Sequence, residues 1–170
     1  LLGYTNADFE DGDGEIIFEK LQPVPTIQLE SYLKNILELI ELLHSNVPSS
    51  RYSIIGLGVA VPGTINKDGV IMKAPNLRWE NFDIKYFLQQ RLNYPIHIPN
   101  EANAGAYAEY IFENNKETSN LIYLSIGTGI GVGIIINNGI YLGINGFSGE
   151  SGHTIIQMNG RKCTCGRNGC

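Results

Sequence analysis

No apolar run in this chain approaches the roughly 18 residues needed to cross a bilayer, so a membrane-spanning role has no support. The opening residues, Leu1-Leu-Gly-Tyr-Thr-Asn-Ala-Asp8, are not a basic region leading into an apolar core, as a secretory signal would be. The expectation is a cytoplasmic protein. Basic runs are missing as well, and the net charge is −5, which argues against this segment tracking a phosphate backbone, because nucleic-acid footprints are usually basic. DNA would have to be bound through a region outside the chain. There is no low-complexity segment and no internal repeat. A starting methionine is also lacking, and the last residue, Cys170, is a candidate metal ligand, so the chain reads as a piece of a longer protein. What is present is 43% hydrophobic residues over a length of 170, enough to bury a real core in one domain or two small ones.

Cysteine is absent until the tail, where all three fall within eight residues as Cys163-x-Cys165-Gly-x-x-Gly-Cys170. His153, which closes Gly149-Glu-Ser-Gly-His153, precedes the first of them by ten residues. Three thiolates and one imidazole complete a tetrahedral Cys3His zinc site, whereas three cysteines cannot pair off as disulfides without leaving one over. Gly166 and Gly169 would let the backbone fold tightly enough for Cys165 and Cys170 to face one ion. Zinc with three thiolates and a neutral imidazole carries a net charge of about −1, and Arg161, Lys162 and Arg167 lie close enough in sequence to offset it and to lower the thiol pKa values. The alternative is a set of reduced, metal-free thiols, or one disulfide with a spare cysteine.

Along the chain, Asp11-Gly-Asp-Gly14 predicts a turn into a strand over 15–19, with Leu1 to Phe9 as its hairpin partner. After Pro23 and Pro25, the spacing of Leu29, Leu33, Ile36, Leu37, Ile40 and Leu43 predicts a helix covering a sheet, with Thr26 as a cap and Asn46-Val-Pro48 as the stop. The apolar, β-branched run 53–61 has the character of a central strand, with Gly56 and Gly58 marking close backbone approach and Pro62-Gly63 ending it. A second helix carries Ile84, Phe87, Leu88 and Leu92, a short strand spans 96–98, and the alanine-rich stretch 102–112 predicts a third helix. Strands are expected over 121–125 and 131–136, followed by a tight turn at Asn138-Gly139 into 140–142.

The glycine-rich loop Ser125-Ile-Gly127-Thr128-Gly129-Ile-Gly131-Val-Gly133 does not open a helix, and no Gly-Lys-Ser/Thr follows it. A dinucleotide fingerprint and a P-loop both need a helix N-terminus to receive the phosphates, so both are disfavoured. A glycine turn between two strands can still present backbone N–H groups and the Thr128 hydroxyl to a phosphate. Equally, its glycines could serve only close strand packing. In Asn100-Glu101-Ala-Asn103, a short strand meets a helix start, where polar side chains cap and carboxylates favour the dipole. Read functionally, an amide and a carboxylate at a strand end can hold a polyol, and Glu150 and His153 offer the same chemistry. His153 could present one ring nitrogen to zinc and the other to a ligand. Asn76, in Ala74-Pro-Asn-Leu77, is a further polar candidate, although Pro-Asn is a common turn pair. Trp79 and Phe82 read as core or lid residues, and His44 and His97 as structural.

Taken together, these residues resemble the ROK family of bacterial sugar kinases and sugar-responsive repressors from about Ile54 to Cys170. Six motifs carry the resemblance in the family's order: Gly58-Val-Ala-Val-Pro-Gly63, Ala74-Pro-Asn-Leu77, Asn100-Glu-Ala-Asn-Ala104, Gly127-Thr-Gly-Ile-Gly131, Gly149-Glu-Ser-Gly-His153 and the cysteine motif ending at Cys170. The resemblance implies an α/β, actin-like, ribonuclease-H-like fold of two lobes with a sugar in the cleft, incomplete in this chain. Residues 1–115 would form the first lobe, its leading strand cut away, and 116–170 the start of the second. It further implies that Asn100, Glu101, Glu150 and His153 contact sugar hydroxyls, that Gly127, Thr128, Gly129 and Gly131 form a phosphate loop, and that His153, Cys163, Cys165 and Cys170 bind zinc.

Two departures sharpen the functional expectation. Kinases of the family carry an aspartate as general base where this chain has Glu101, and one added methylene moves a carboxylate by about 1 Å, a misplacement that can cost on the order of 100-fold in rate. Glutamate there looks like the xylose repressors of the family. The Asp-x-Gly phosphate loop that kinases carry near their start is also absent. The expectation is thus the effector-binding part of a dimeric, xylose-responsive repressor, with sugar and operator DNA as partners. The rival is an ATP-dependent sugar kinase using ATP and Mg, with Glu101 as catalytic base. A zinc-stabilised fragment without a ligand of its own is a third reading.

Overall fold

The computed structural model describes residues 4–11, 13–24, 28–113, 118–127 and 129–170. They fall into two compact units, Leu1–Ile54 and Ile55–Cys170.

In the first unit, β1 (Tyr4–Glu10) and β2 (Ile16–Pro23) form the antiparallel hairpin that the Asp-Gly turn predicts. Asp11 Oδ1 accepts from the backbone N–H groups of Asp13 and Glu15, at 2.9 and 3.0 Å, and so builds the turn. Helix α1 (Leu29–Asn46) packs against both strands and buries Leu33, Ile36, Leu39, Ile40 and Leu43. Each such side chain is worth about 1.5–3 kcal/mol of burial. The buried stripe is rotated from the expected one: Leu39 belongs to it, and Leu29 and Leu37 are only half-buried at its margin. The helix ends at Val47, before Pro48, as the stop signal requires. Its expected cap, Thr26, lies outside the described residues.

The second unit begins in a way that differs from the expectation for 53–61. The run 53–61 does not form a long central strand: β3 is only Leu57–Gly58, paired in parallel with β7 (Ile96–His97) in a two-stranded sheet. Backbone hydrogen bonds from Val59 to His97 and from Val61 to Pro99 extend the pairing past the strand ends. Among the described residues the run pairs with one strand, Ile55 is 86% exposed and Val61 alone of the run is buried. Apolar composition cannot tell a strand with neighbours on both edges from one with a single neighbour. Gly56 does approach Pro95, its would-be Cβ standing 3.4 Å from that carbonyl oxygen, whereas Gly58 faces open space.

Three strands not anticipated from the sequence follow, β4 (Thr64–Ile65), β5 (Ile71–Ala74) and β6 (Trp79–Phe82), in an antiparallel sheet of order β4-β5-β6. Asn66 builds the first connection, its Oδ1 accepting from the N–H groups of Asp68 and Val70. Trp79 is a core residue, 4% exposed, with Phe82 edge-on at 6.2 Å. Helix α2 (Ile84–Gln89), capped by Asp83, buries Ile84 and Leu88. It is shorter than its expected run, which reached Leu92.

Helix α3 (Glu101–Ala108) continues into a π-helical turn over Glu109–Glu113. It packs on β8 (Leu121–Ile126) and β9 (Ile130–Ile136), which with β10 (Gly139–Ile140) form an antiparallel sheet of order β10-β9-β8. The tight turn is Asn137-Asn138, both residues with positive φ (51° and 67°), and Gly139 is already strand. Asparagine tolerates the left-handed region well enough to take both central positions of such a turn. Gly133 lets α3 lie directly on β9, since a Cβ there would enter Ala102 and stand 2.5 Å from Ala106. Among the described residues no helix is long and apolar enough to cross a membrane.

Candidate ligand and metal sites

Strand β9 organises much of what the sequence singled out. On one face, Gly131 and Gly133 receive the start of α3, which carries Glu101 at its first position. Beside Ile130 and Val132 lies the 3-10 turn Glu150–His153. Gly149 and Gly152 make that contact possible: a Cβ on either would run into the Val132 or the Ile130 carbonyl oxygen. Residues three apart in a 3-10 turn eclipse one another. Two glycines therefore lie on the strand while Glu150 and His153 share a face, with Nε2 of His153 3.9 Å from Oε2 of Glu150.

The other ring nitrogen of His153 points to the cysteines. Nδ1 is 3.5 Å from Cys163 Sγ, Cys165 Sγ is 3.8 Å from Cys170 Sγ, and the four ligand atoms all lie within 4.8 Å of one another. In a tetrahedron with bonds of about 2.3 Å to sulfur and about 2.0–2.1 Å to nitrogen, sulfurs stand about 3.8 Å apart and sulfur and nitrogen about 3.5 Å. The donor set and these two spacings fit such an ion. The knuckle is built by backbone hydrogen bonds: Cys163 N–H donates to Arg167 at 2.8 Å, Gly166 N–H to Cys163 at 3.0 Å and Gly169 N–H to Arg161 at 2.8 Å. Gly166 and Gly169 both have positive φ, 98° and 87°, which is the freedom their positions require.

Cys165 and Cys170 are not equivalent. A backbone hydrogen bond from Arg167 leads the effects that draw the Cys165 thiol down to about 6, with its guanidinium and the neighbouring thiols adding to it. Desolvation and its sulfur neighbours push Cys170 up to about 11. Of the three basic residues near the cluster, Arg167 is the one whose contact with Cys165 and field from all three cysteines are evident.

Asn100 and Glu101 sit at the end of the β3–β7 pairing. Asn100 bridges in parallel to Val61 and caps α3, its Oδ1 accepting from Ala102 N–H at 2.9 Å and Asn103 N–H at 3.4 Å. Its Nδ2 donates to the Gly63 carbonyl at 2.6 Å. The Glu101 N–H donates to Val61 at 3.3 Å. Glu101 has an exposed surface, yet the atoms around its carboxyl desolvate it enough to raise its pKa. Glu150 is raised by the same cause, opposed by His153. Asn76 is exposed in the β5–β6 turn, which is closed by bonds from Leu77 N–H to Ala74 and Arg78 N–H to Pro75.

The glycine loop divides in two. Gly131 is a packing residue inside β9, its would-be Cβ 3.1 Å from that of Ala102. Gly127 and Gly129, joined by a 2.9 Å backbone hydrogen bond between the strand ends, face open space. Thr128 lies outside the described residues. The sequence pointed to these residues, but it missed the Asn100–Gly63 bond, because the two are 37 positions apart.

Comparison with known proteins gives a consistent picture. The ROK family profile matches residues 4–170. The chain is 43% identical over 169 residues to the xylose repressor of Bacillus subtilis strain 168, covering 99% of this chain and 44% of that protein. It is 36% identical over 138 residues to the glucokinase of Halalkalibacterium halodurans, covering 80% of this chain and 42% of that protein. Among solved structures, a ROK family glucokinase from Streptomyces griseus in complex with glucose and AMPPNP superposes with a TM-score of 0.85 at 27% identity, over 99% of this chain and 55% of that one. The chain thus spans about half the length, or less, of the relatives it matches.

Proposed function

As the chain belongs to the ROK family, we propose that it is the sugar-sensing, effector-binding part of a transcriptional repressor responsive to xylose, whose DNA-binding region lies outside this chain. The observation that carries this is the 43% identity to a xylose repressor across 99% of the chain. In this reading the protein is cytoplasmic and dimeric, and the fold is the two-lobed actin-like one, with residues 1–115 in the first lobe and 116–170 opening the second.

Asn100, Glu101, Glu150 and His153 bind sugar hydroxyls, with Asn76 at the edge of the site. A desolvated carboxylate such as Glu101 gains from accepting a hydroxyl hydrogen, because that bond replaces water it has lost. His153, Cys163, Cys165 and Cys170 would hold zinc, which would supply structure there, and His153 turns Nδ1 toward Cys163 and Nε2 toward Glu150. Sugar closes the cleft and reorients the DNA-binding regions of the dimer. Sugar and operator are then negatively coupled, each weakening the other by one factor.

A second reading, an ATP-dependent sugar kinase with Glu101 as base, is favoured by the 36% identity to a glucokinase and by the open Gly127 and Gly129 backbone. Calorimetry beside a coupled ADP-release assay on the full-length protein separates the two. The sensor binds xylose with a micromolar to millimolar Kd, roughly −8 to −4 kcal/mol, and consumes no ATP. Glu101→Asp then weakens binding modestly and creates no strong turnover. Robust sugar phosphorylation by the wild type, abolished in Glu101→Gln, would make the protein a kinase.

A further inference from the structure

We propose that Asn100, besides the sugar contact given to it above, is a positioning residue, a latch between the Pro62-Gly63 turn and the first turn of α3 that sets where the Glu101 carboxylate stands. The proposal rests on reading Glu101 as a sugar-binding carboxylate. Both polar atoms of the Asn100 amide are engaged by the protein's own backbone: Nδ2 donates to Gly63 at 2.6 Å, and Oδ1 accepts from Ala102 at 2.9 Å and Asn103 at 3.4 Å. Serine, threonine or aspartate would serve a helix cap as well as asparagine. An amide caps with its oxygen and donates from a separate nitrogen at once, whereas ionised aspartate has no proton to give and a serine or threonine hydroxyl must do both from one atom on a shorter side chain. The donation to Gly63 is what singles out asparagine here.

The far end of the latch is itself anchored. Gly63 has a φ of 108°, and a Cβ there would stand 2.7 Å from the Ala74 Cα, so the turn lies directly on the end of β5. Ala74 in turn accepts from Leu77 N–H at 3.0 Å and closes the turn that carries Asn76. The amide thus joins two segments, the Gly63 turn and the start of α3, and the packing of Gly63 on Ala74 connects them to the turn that carries Asn76. The remaining tie at the start of α3, Glu101 N–H to Val61, is longer, at 3.3 Å. Without the Asn100 donation the helix start keeps its cap but loses its short fixed reference to the turn.

Asn100→Asp keeps the cap and removes the donor, setting a carboxylate oxygen against the Gly63 carbonyl. Donation returns only when that carboxyl is protonated. Melting temperature and xylose affinity of the full-length wild type, Asn100→Asp and Asn100→Ser are measured between pH 4 and 8, each variant as a ratio to wild type at the same pH. We expect Asn100→Asp to bind about tenfold more weakly at pH 8, the size of one lost hydrogen bond with its partner left unpaired, and to recover as pH falls, its melting deficit narrowing in parallel. Asn100→Ser, which caps but has no such proton to regain, should lose affinity by a pH-independent factor. Wild-type affinity and melting of Asn100→Asp at pH 8 would overturn the latch. So would weaker binding with no melting deficit and no recovery, the pattern of an amide that touches sugar alone. If the wild type binds no sugar, the sensor reading fails, and the melting profiles still decide: a deficit that narrows at low pH supports the latch, and a constant one overturns it.

Discussion

His153 shares the face of one 3-10 turn with Glu150, Nε2 3.9 Å from Oε2, and turns Nδ1 to within 3.5 Å of Cys163 Sγ. A metal held by the cysteines would therefore act on Glu150 through one imidazole ring. Metal analysis of full-length protein prepared with zinc and without chelators is expected to find one equivalent per chain, and Cys165→Ser to lower it. Stripping the metal should weaken xylose binding about 10- to 100-fold by releasing His153, the range typical for partners that orient a ligand residue. Content well below one equivalent, or unchanged by Cys165→Ser, would refute the assignment.

Glu101 has its pKa raised above its ordinary 4.5 by desolvation. A raised carboxyl stabilises the fold below its unfolded pKa, and that contribution is lost as pH rises through the folded value. Glu101→Gln should thus gain in melting temperature relative to wild type as pH climbs from about 4 to 7, trimmed by the lost attraction to the α3 dipole. The same variant should bind xylose more weakly by on the order of 1 kcal/mol or more, since a charge-assisted bond becomes a neutral one. A melting difference independent of pH would contradict the desolvated carboxylate.

Gly152 and Gly129 make a matched pair for alanine substitution. At Gly152 the new Cβ meets the Ile130 carbonyl, so Gly152→Ala should destabilise by about 1–3 kcal/mol and reduce metal content by displacing His153. At Gly129 it meets nothing, so Gly129→Ala should be neutral or stabilising by up to about 1 kcal/mol. Thermal unfolding measures both. A fall in ATP affinity in Gly129→Ala, without loss of stability, would favour the kinase reading.

Asp8 and Glu19 stand directly opposite one another in the β1–β2 register. Desolvation first, and then the Glu19 charge, raise the pKa of Asp8 above its ordinary 3.8. Its contribution to stability is present at low pH and lost as pH rises through the folded value. Asp8→Asn should stabilise the neutral-pH protein by about 0.2–1 kcal/mol, with less gain at high salt. Chemical denaturation at low and high ionic strength checks this, and a destabilised variant would contradict it.

Local patterns carried much of the structure into the sequence. The Asp-Gly turn and its hairpin, the period of α1 with its stop at Pro48, and the spacing of His153 with the three cysteines all depend on residues within a few turns of one another, so their chemistry is visible without coordinates. The family was legible for the same reason, because its motifs are short. What the sequence could not determine was set by neighbours distant along the chain. The run 53–61 looked like a central strand because apolar composition does not record how many strands flank it. Two kinds of glycine looked alike in the loop 125–133 until α3 settled on Gly131 and Gly133 and left Gly127 and Gly129 open. The cap at Asn100 was legible from its place before the helix, but the bond from its amide to the Gly63 carbonyl at 2.6 Å was not, since the two residues are 37 positions apart. Hydrogen bonds and close packing act over a few ångströms of space, whatever the separation in sequence, and only the tertiary structure decides which distant atoms come that near.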